Sequence, residues 1–368
     1  MSKKQETEDK KTKEKKAGKR AGSKKKILII VLIAAVAAVI AIVCGINYVK
    51  GHVKNKLDAI DRIDVTEAED NYSENTLPPE DNYTTIALFG IDNRSNGSFE
   101  TGNSDAILVV SINNDTKEVR VASVYRDTYL NTGKDTFRKA NYAYAAGGPT
   151  RAITMLQKNL DIEIDGYVTV DFNALVEIID LLGGVEIDVS SQEAHYMVGY
   201  IDEVEELSGK SSSYVSAGYQ TLDGVQATAY SRVRYTAGGD YERTARQREV
   251  IEKLVEGIKA SSYTTLIQML DVVIDDISTS FSSEELLAYA KDASNYTIMQ
   301  MDGFPFDKCA DTVGKLGSIV IPVDLDTNVE QLHAFLYPDV TDYVLSKTVT
   351  EYSDIIINNV GQYEPELD

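Results

Sequence analysis

The chain predicts an α/β fold, a mixed central sheet with helices on its faces, and three observations point to it. Between residues 149 and 189, amphipathic helical and extended patterns alternate: P-T-R-A-I-T-M-L-Q-K-N-L, then D-G-Y-V-T-V-D-F, then N-A-L-V-E-I-I-D-L-L, then V-E-I-D-V. Such alternation builds a sheet covered by helices. Upstream, D-A-I-L-V-V-S-I (105–112) and V-R-V-A-S-V-Y-R (119–126) flank the polar turn N-N-D-T-K-E, so an antiparallel hairpin joins the same sheet. Downstream, no Pro/Gly/Ser-rich break interrupts the pattern, and one domain is expected over 84–345.

Taken in order, residues 1–26 read as a disordered cytoplasmic tail, with 12 Lys/Arg against 4 Asp/Glu. Residues 27–49, I-L-I-I-V-L-I-A-A-V-A-A-V-I-A-I-V-C-G-I-N-Y-V, carry no charge and follow Lys24, Lys25 and Lys26. That pattern predicts one transmembrane helix with its amino end inside, which places the rest of the chain outside the cytoplasm at the cell membrane. Residues 50–83 read as a polar stalk, and residues 346–368 as an acidic tail in which 349–358 could form a short helix.

Strands are expected at 84–91, 105–112 and 119–126, and the helix ending near residue 182 is stopped by Gly183-Gly184. Residues 190–222, rich in Ser, Glu and Tyr with weak periodicity, read as a surface excursion or lid. Further helices are expected at 264–276, 283–293 and 328–336, and strands at 297–302 and 318–323.

Residues 50–368 hold 25 Lys/Arg against 54 Asp/Glu, a net −29, so the large domain is a poor partner for nucleic acid. Cys309 is the one cysteine beyond Cys44, so packing rather than disulfides must hold the domain. His52, His195 and His333 have no triad-like setting and read as ordinary surface or core residues.

Against this acidic background, five arginines crowd into Y-S-R-V-R-Y-T-A-G-G-D-Y-E-R-T-A-R-Q-R-E at 230–249. Arg232 and Arg234, two apart, would point the same way in an extended segment. Gly238 and Gly239 turn the chain and Asp240 is placed to cap the helix that follows. On that helix Arg243, Gln247, Ile251, Leu254 and Ile258 form one stripe whose far end is apolar, so the stripe faces the core. Inward guanidinium groups need partners. Either an internal carboxylate network or a highly charged ligand such as a pyrophosphate would supply them. The hairpin register, with Ile112 opposite Val119, gathers Asp92, Asp105, Arg126 and Asp127 at one end of the sheet.

These motifs resemble the LytR-CpsA-Psr family. The resemblance rests on G-I-D-N-R (90–94), S-D-A-I-L (104–108), V-Y-R-D-T (124–128), K-A-N-Y-A-Y-A-A-G-G (139–148) and D-G-Y-V-T-V-D-F (165–172). L-L-G-G-V-E-I-D-V (181–189), L-D-G (222–224), Y-S-R-V-R and G-D-Y-E-R-T-A-R-Q complete it. It implies a three-layer α-β-α sandwich. It also implies a transferase that moves a glycopolymer, teichoic acid or capsule, from a polyprenyl-pyrophosphate carrier to peptidoglycan. Asp92 and Asp105 are then the expected ligands of Mg²⁺, with Mn²⁺ as the alternative. Arg126, Arg232, Arg234 and Arg243 become the expected catalytic clamp and, with Gln247, the pyrophosphate site. Where many members carry Arg two residues before the second metal Asp, this chain has Asn103, a gap that Arg94 or Arg246 could fill. Asp127 and Asp240 are candidate general bases, each with a structural reading beside it. The resemblance also implies an apolar slot for the lipid, for which the helices around 156–160 and 175–182 are candidates. A lipid-pyrophosphate hydrolase and a non-catalytic polyprenyl-phosphate-binding protein are the alternatives.

Overall fold

The structure, a computed structural model, describes residues 57–63, 65, 82–91, 99–234, 239–292, 295–361 and 363. Twelve strands lie among these residues. They are β1 (Tyr83–Ile91), β2 (Ser104–Asn113), β3 (Glu118–Val124), β4 (Tyr129–Asn131), β5 (Phe137–Lys139), β6 (Gly166–Asp171), β7 (Val185–Val189), β8 (Gly218–Leu222), β9 (Ile277–Thr279), β10 (Thr297–Phe304), β11 (Lys308–Val313) and β12 (Gly317–Pro322). The helices are α1 (Asn141–Leu160), α2 (Phe172–Leu182), α3 (Ser191–Ser208), α4 (Gly224–Arg232), α5 (Gly239–Ala260), α6 (Tyr263–Val273), α7 (Ser283–Asp292), α8 (Leu325–Leu336) and α9 (Lys347–Val360).

Six strands form the central sheet in the order β10-β3-β2-β1-β6-β9. The β1–β2, β2–β3 and β6–β9 pairs are antiparallel, whereas β1–β6 and β10–β3 are parallel, so the sheet is mixed as expected. Strand β1 shows why the fold is layered. Its side chains alternate between faces, with Ile86 and Leu88 in one core cluster and Ala87, Phe89 and Ile91 in another. The first cluster is completed by α2 to α7, the second by α1, α8 and α9. The β2–β3 hairpin has Ile112 opposite Val119, the expected register. Gly183 ends α2 at φ 84°, and its N–H donates to the carbonyls of Asp180 and Ile179, as its place after the helical run predicts.

Elsewhere the structure departs from the sequence reading. Leu57 and Ile60, assigned to a stalk, are buried in the first core cluster, and Arg62 donates to the carbonyls of Leu57 and Phe281. Residues 191–208 are a helix, not a surface excursion. Ser190 and Glu193 form a capping box, and Ala194, Met197, Ile201 and Val204 are buried. Beyond residue 345 the short helix allowed at 349–358 is present and longer, as α9, and it is packed rather than frayed, with Val349 and Ile356 in the second core cluster. Helix α1 starts eight residues before the expected Pro149 and breaks at Gly147 and Gly148. Gly148 has φ 62°, and a Cβ there would lie 2.9 Å from the Glu100 carbonyl oxygen, so the break requires glycine. Strands β9 and β11 were not anticipated.

Residues 27–49 lie outside the described residues, among which no helix is long and apolar enough to cross a membrane. Cys309 is buried as a thiol. His333 is a core residue: its ring stacks on Tyr343, its Nε2 lies 3.0 Å from the Leu160 carbonyl oxygen, and burial pushes its pKa down to about 4.

Candidate active site

The site grows from an irregularity between β1 and β2. Gly90 pairs with Ala106 and Ile91 with Ser104, so Asp105 is left as the extra residue of a β-bulge. A bulge re-aims a side chain without unravelling the sheet. Across the hairpin, Ile107 pairs with Val124, which carries Arg126 to the level of Asp105. Arg126 Nη1 donates to Asp105 Oδ1, and Arg243 Nη2 donates to Asp105 Oδ2 at 2.8 Å. Burial alone would raise the Asp105 carboxyl, but Arg243, Arg126 and Arg234 outweigh it and hold it below the usual carboxylate range. Two of the four expected clamp arginines, Arg126 and Arg243, therefore meet at Asp105, and a third, Arg234, adds to the field there.

Arg243 projects inward because α5 is amphipathic in the expected register: Arg243, Leu254 and Ile258 are buried, and Gln247 is half-buried. Ile251 and Asp240 have side chains outside the description. Arg232 departs from expectation. It ends α4 in helical geometry rather than lying in an extended segment, and its Nη2 meets Glu203 Oε1 of α3 at 3.2 Å. The extended segment expected to carry both Arg232 and Arg234 is therefore helical at Arg232, while Arg234 contributes to the field at Asp105.

Arg246, a possible stand-in for the missing cation at Asn103, is committed elsewhere. Its Nε donates to Glu193 Oε1 at 2.7 Å, and its Nη1 donates to the Val233 carbonyl at 3.0 Å. Glu193 Oε2 accepts the Ser190 N–H at 2.8 Å, so one carboxylate caps α3 and grips α5. The Val233 carbonyl immediately precedes Arg234, so this brace fixes the backbone that presents a clamp arginine. Glu193 and Glu203 were not singled out from the sequence. The S-S-Q-E run at 190–193 carries the capping-box signal that could have found the first.

Asp127 is held by Lys139 at 3.1 Å and lies 3.7 Å from Arg126 Nε, while its carbonyl accepts the Val320 N–H. Its structural reading is the one the geometry favours. Asp92 and Arg94 lie outside the described residues; Asp92 directly follows Ile91, whose neighbours across the sheet are Ser104 and Asp171. Among the described residues no group of three or more His, Cys, Asp or Glu is placed to hold a metal ion. Past Asp171, Val170 pairs with Ile277, which brings Asp276 to the same sheet end. Burial, then the charges of Asp171, Asp275 and Glu177, push Asp276 up to about 7. The two helices proposed to line one slot do not do so: Leu156 and Leu160 belong to one core, while Leu175 and Leu182 pack on the other face of the sheet.

The same arrangement of motifs is found by comparison. Residues 48–320 match the model of the LytR_cpsA_psr family. The chain belongs to that family. It is 33% identical over 211 residues to the polyisoprenyl-teichoic acid–peptidoglycan teichoic acid transferase TagU of Enterococcus faecalis, covering 56% of this chain and 65% of that one. It is also 33% identical over 237 residues to biofilm regulatory protein A of Streptococcus mutans, covering 60% and 56% respectively. The matched stretches thus span less than two thirds of these relatives. The crystal structure of Bacillus subtilis TagV superposes with a TM-score of 0.54 at 25% identity, over 72% of this chain and 98% of that one.

Proposed function

We propose that this LytR_cpsA_psr family member is a transferase that moves a teichoic-acid-type glycopolymer from a polyprenyl-pyrophosphate carrier to peptidoglycan. In this reading a three-layer α-β-α domain is held at the outer membrane surface by one span at 27–49. The observation that carries it is that Arg126 and Arg243 both donate to one ionised carboxylate, Asp105, with Arg234 adding to the positive field there. Guanidinium groups gathered at one end of the sheet are suited to grip a diphosphate, whose several anionic oxygens match their planar forks. Teichoic acid as the transferred polymer and peptidoglycan as its acceptor come from the name of the Enterococcus relative.

Asp105 fits a hard divalent cation: it is a carboxylate, ionised, and aimed by the bulge, and each of its oxygens keeps a lone pair beyond its guanidinium bond. Asp105 and Asp92 are the residues that would hold Mg²⁺ or Mn²⁺, which when bound supplies charge neutralisation to the diphosphate. The arginines do the rest. They orient the diphosphate, and they stand where charge grows as the acceptor hydroxyl oxygen bonds to the glycan-linked phosphorus. The bond from that phosphorus to the bridging oxygen breaks, polyprenyl phosphate leaves with the electron pair, and the hydroxyl proton is released to solvent.

The test uses the full chain in detergent micelles with a polyprenyl-pyrophosphate oligosaccharide, Mg²⁺ and peptidoglycan fragments, read by mass spectrometry. The expected product is glycan joined to the fragment through a phosphodiester. Arg126→Ala and Arg243→Ala should each lower turnover by about 10²-fold or more. Polyprenyl phosphate released at the same rate with no glycan joined to the acceptor would replace the transferase with a hydrolase.

A further inference from the structure

One stretch reverses the charge of the whole domain. Between Thr128 and Leu160 there are five basic residues, Lys134, Arg138, Lys139, Arg151 and Lys158, against the single acid Asp135. The fold gathers three of these cations. Arg138 on β5 lies with its guanidinium carbon 4.7 Å from the centre of the Tyr142 ring, and Arg151 on α1 lies 5.6 Å from the same centre. Arg151 is fixed in place, since its Nε donates to the Thr132 carbonyl at 2.6 Å. Lys139 stands between this pair and the clamp, bound through Asp127 to Arg126. The junction itself is tied to the clamp residue, because the Asn141 N–H donates to the Arg126 carbonyl at 3.0 Å.

Where residues 50–368 hold 54 acids against 25 Lys/Arg, arginines normally find carboxylates. Among the described residues neither Arg138 nor Arg151 forms an ion pair; Arg138 lies over the Tyr142 ring, and Arg151 is held by the same ring and by the Thr132 carbonyl. Two like charges brought to one ring repel each other, and an anion between or above them relieves the repulsion. We infer that Arg138, Arg151 and Tyr142 form a subsite for the phosphodiester backbone of an anionic glycopolymer, adjoining the clamp and distinct from it. This rests on the transferase reading above, whose teichoic-acid-type polymer already carries repeating phosphates, and adds the residues that hold them beside the clamp. Contiguity with Arg126 favours the polymer over the phosphodiester headgroups of a membrane, which present the same chemistry.

The experiment measures binding of a short glycerol-phosphate oligomer, carrying neither lipid nor pyrophosphate, to the full chain in micelles. A dextran oligosaccharide of equal length is the neutral control, inorganic pyrophosphate probes the clamp, and phosphatidylglycerol vesicles probe the membrane alternative. Arg138→Gln should weaken oligomer binding about three- to tenfold, Arg138→Glu should weaken it further, and Arg138→Lys should largely keep it. Pyrophosphate affinity should stay unchanged in the Arg138 variants and fall in Arg243→Ala. Arg138 is exposed, so an unchanged melting temperature will show that the variants fold. Equal oligomer binding by wild type and Arg138→Glu would overturn the inference, as would a loss confined to vesicles, or equal affinity for dextran. Loss of oligomer binding in Arg138→Glu together with a failed transfer assay would count against the transferase reading and leave this subsite standing.

Discussion

Asp105 is ionised in a place where burial alone would keep it protonated, and that opposition makes it testable. Its folded-state pKa lies below its unfolded value. The stabilisation it contributes is therefore fully present above the unfolded value near 4 and is lost as pH falls through the folded value. Asp105→Asn should cost about 3 kcal/mol at pH 7, because Arg126 and Arg243 lose their shared partner. The gap between variant and wild type should begin to narrow once pH falls below the unfolded value near 4, where the unfolded wild-type carboxyl takes up a proton that the folded one resists. Urea unfolding at pH 7, 5 and 3 gives both quantities, and a gap that stays constant with pH would rule out the ionised carboxylate as its source. Asp105 and Arg126 were legible in the sequence because a hairpin turn fixes register, and Arg243 because helical spacing fixes a face. Glu203 was not legible as the partner of Arg232, since 29 residues and a helix packing angle separate them, and neither is written in local periodicity.

Helix α3 shows how an element can carry its signal and still be missed. Ala194, Met197, Ile201 and Val204 recur at spacings of three and four, yet Tyr196, Val198, Gly199 and Tyr200 fill the other faces and blur the stripe. The helix matters to the site because Glu193 grips Arg246, and Arg246 grips the carbonyl before Arg234. Glu193→Ala should cost about 3 kcal/mol by taking the carboxylate away from a buried guanidinium, whereas Glu193→Gln, whose single amide oxygen can keep only one of the two hydrogen bonds, should cost about 2 kcal/mol. Adding Arg246→Met to Glu193→Ala should recover part of the loss, so the double variant is more stable than the sum of the singles predicts. Strict additivity in chemical unfolding would mean that the two residues act separately. Weakened pyrophosphate binding in Glu193→Ala protein that is still folded would show that the brace also positions Arg234. Strands β9 and β11 were missed for another reason: short strands at the sheet edge or in a separate hairpin lack the long apolar run that marked β1 to β3.

At the scale of the whole molecule, charge is partitioned rather than balanced. Residues 50–368 carry a net −29, while the clamp arginines and the Arg138–Tyr142–Arg151 group form a cationic strip within it. Salt should therefore act in opposite directions on two properties of the same chain. Diffuse self-repulsion destabilises the compact state, and screening relieves it once the Debye length falls to about 8 Å at physiological ionic strength. Attraction between the strip and a polyanion is screened by the same ions. The melting temperature of the folded region should rise between 20 mM and 500 mM NaCl, by about 3 °C for each 1 kcal/mol of repulsion removed. Over the same range the affinity for a glycerol-phosphate oligomer should fall steadily. Light-monitored thermal melts and oligomer titrations on one preparation measure both. A melting temperature that drops with salt would mean that local ion pairs such as Arg246–Glu193 outweigh net repulsion, and that net charge does not limit the stability of the folded region.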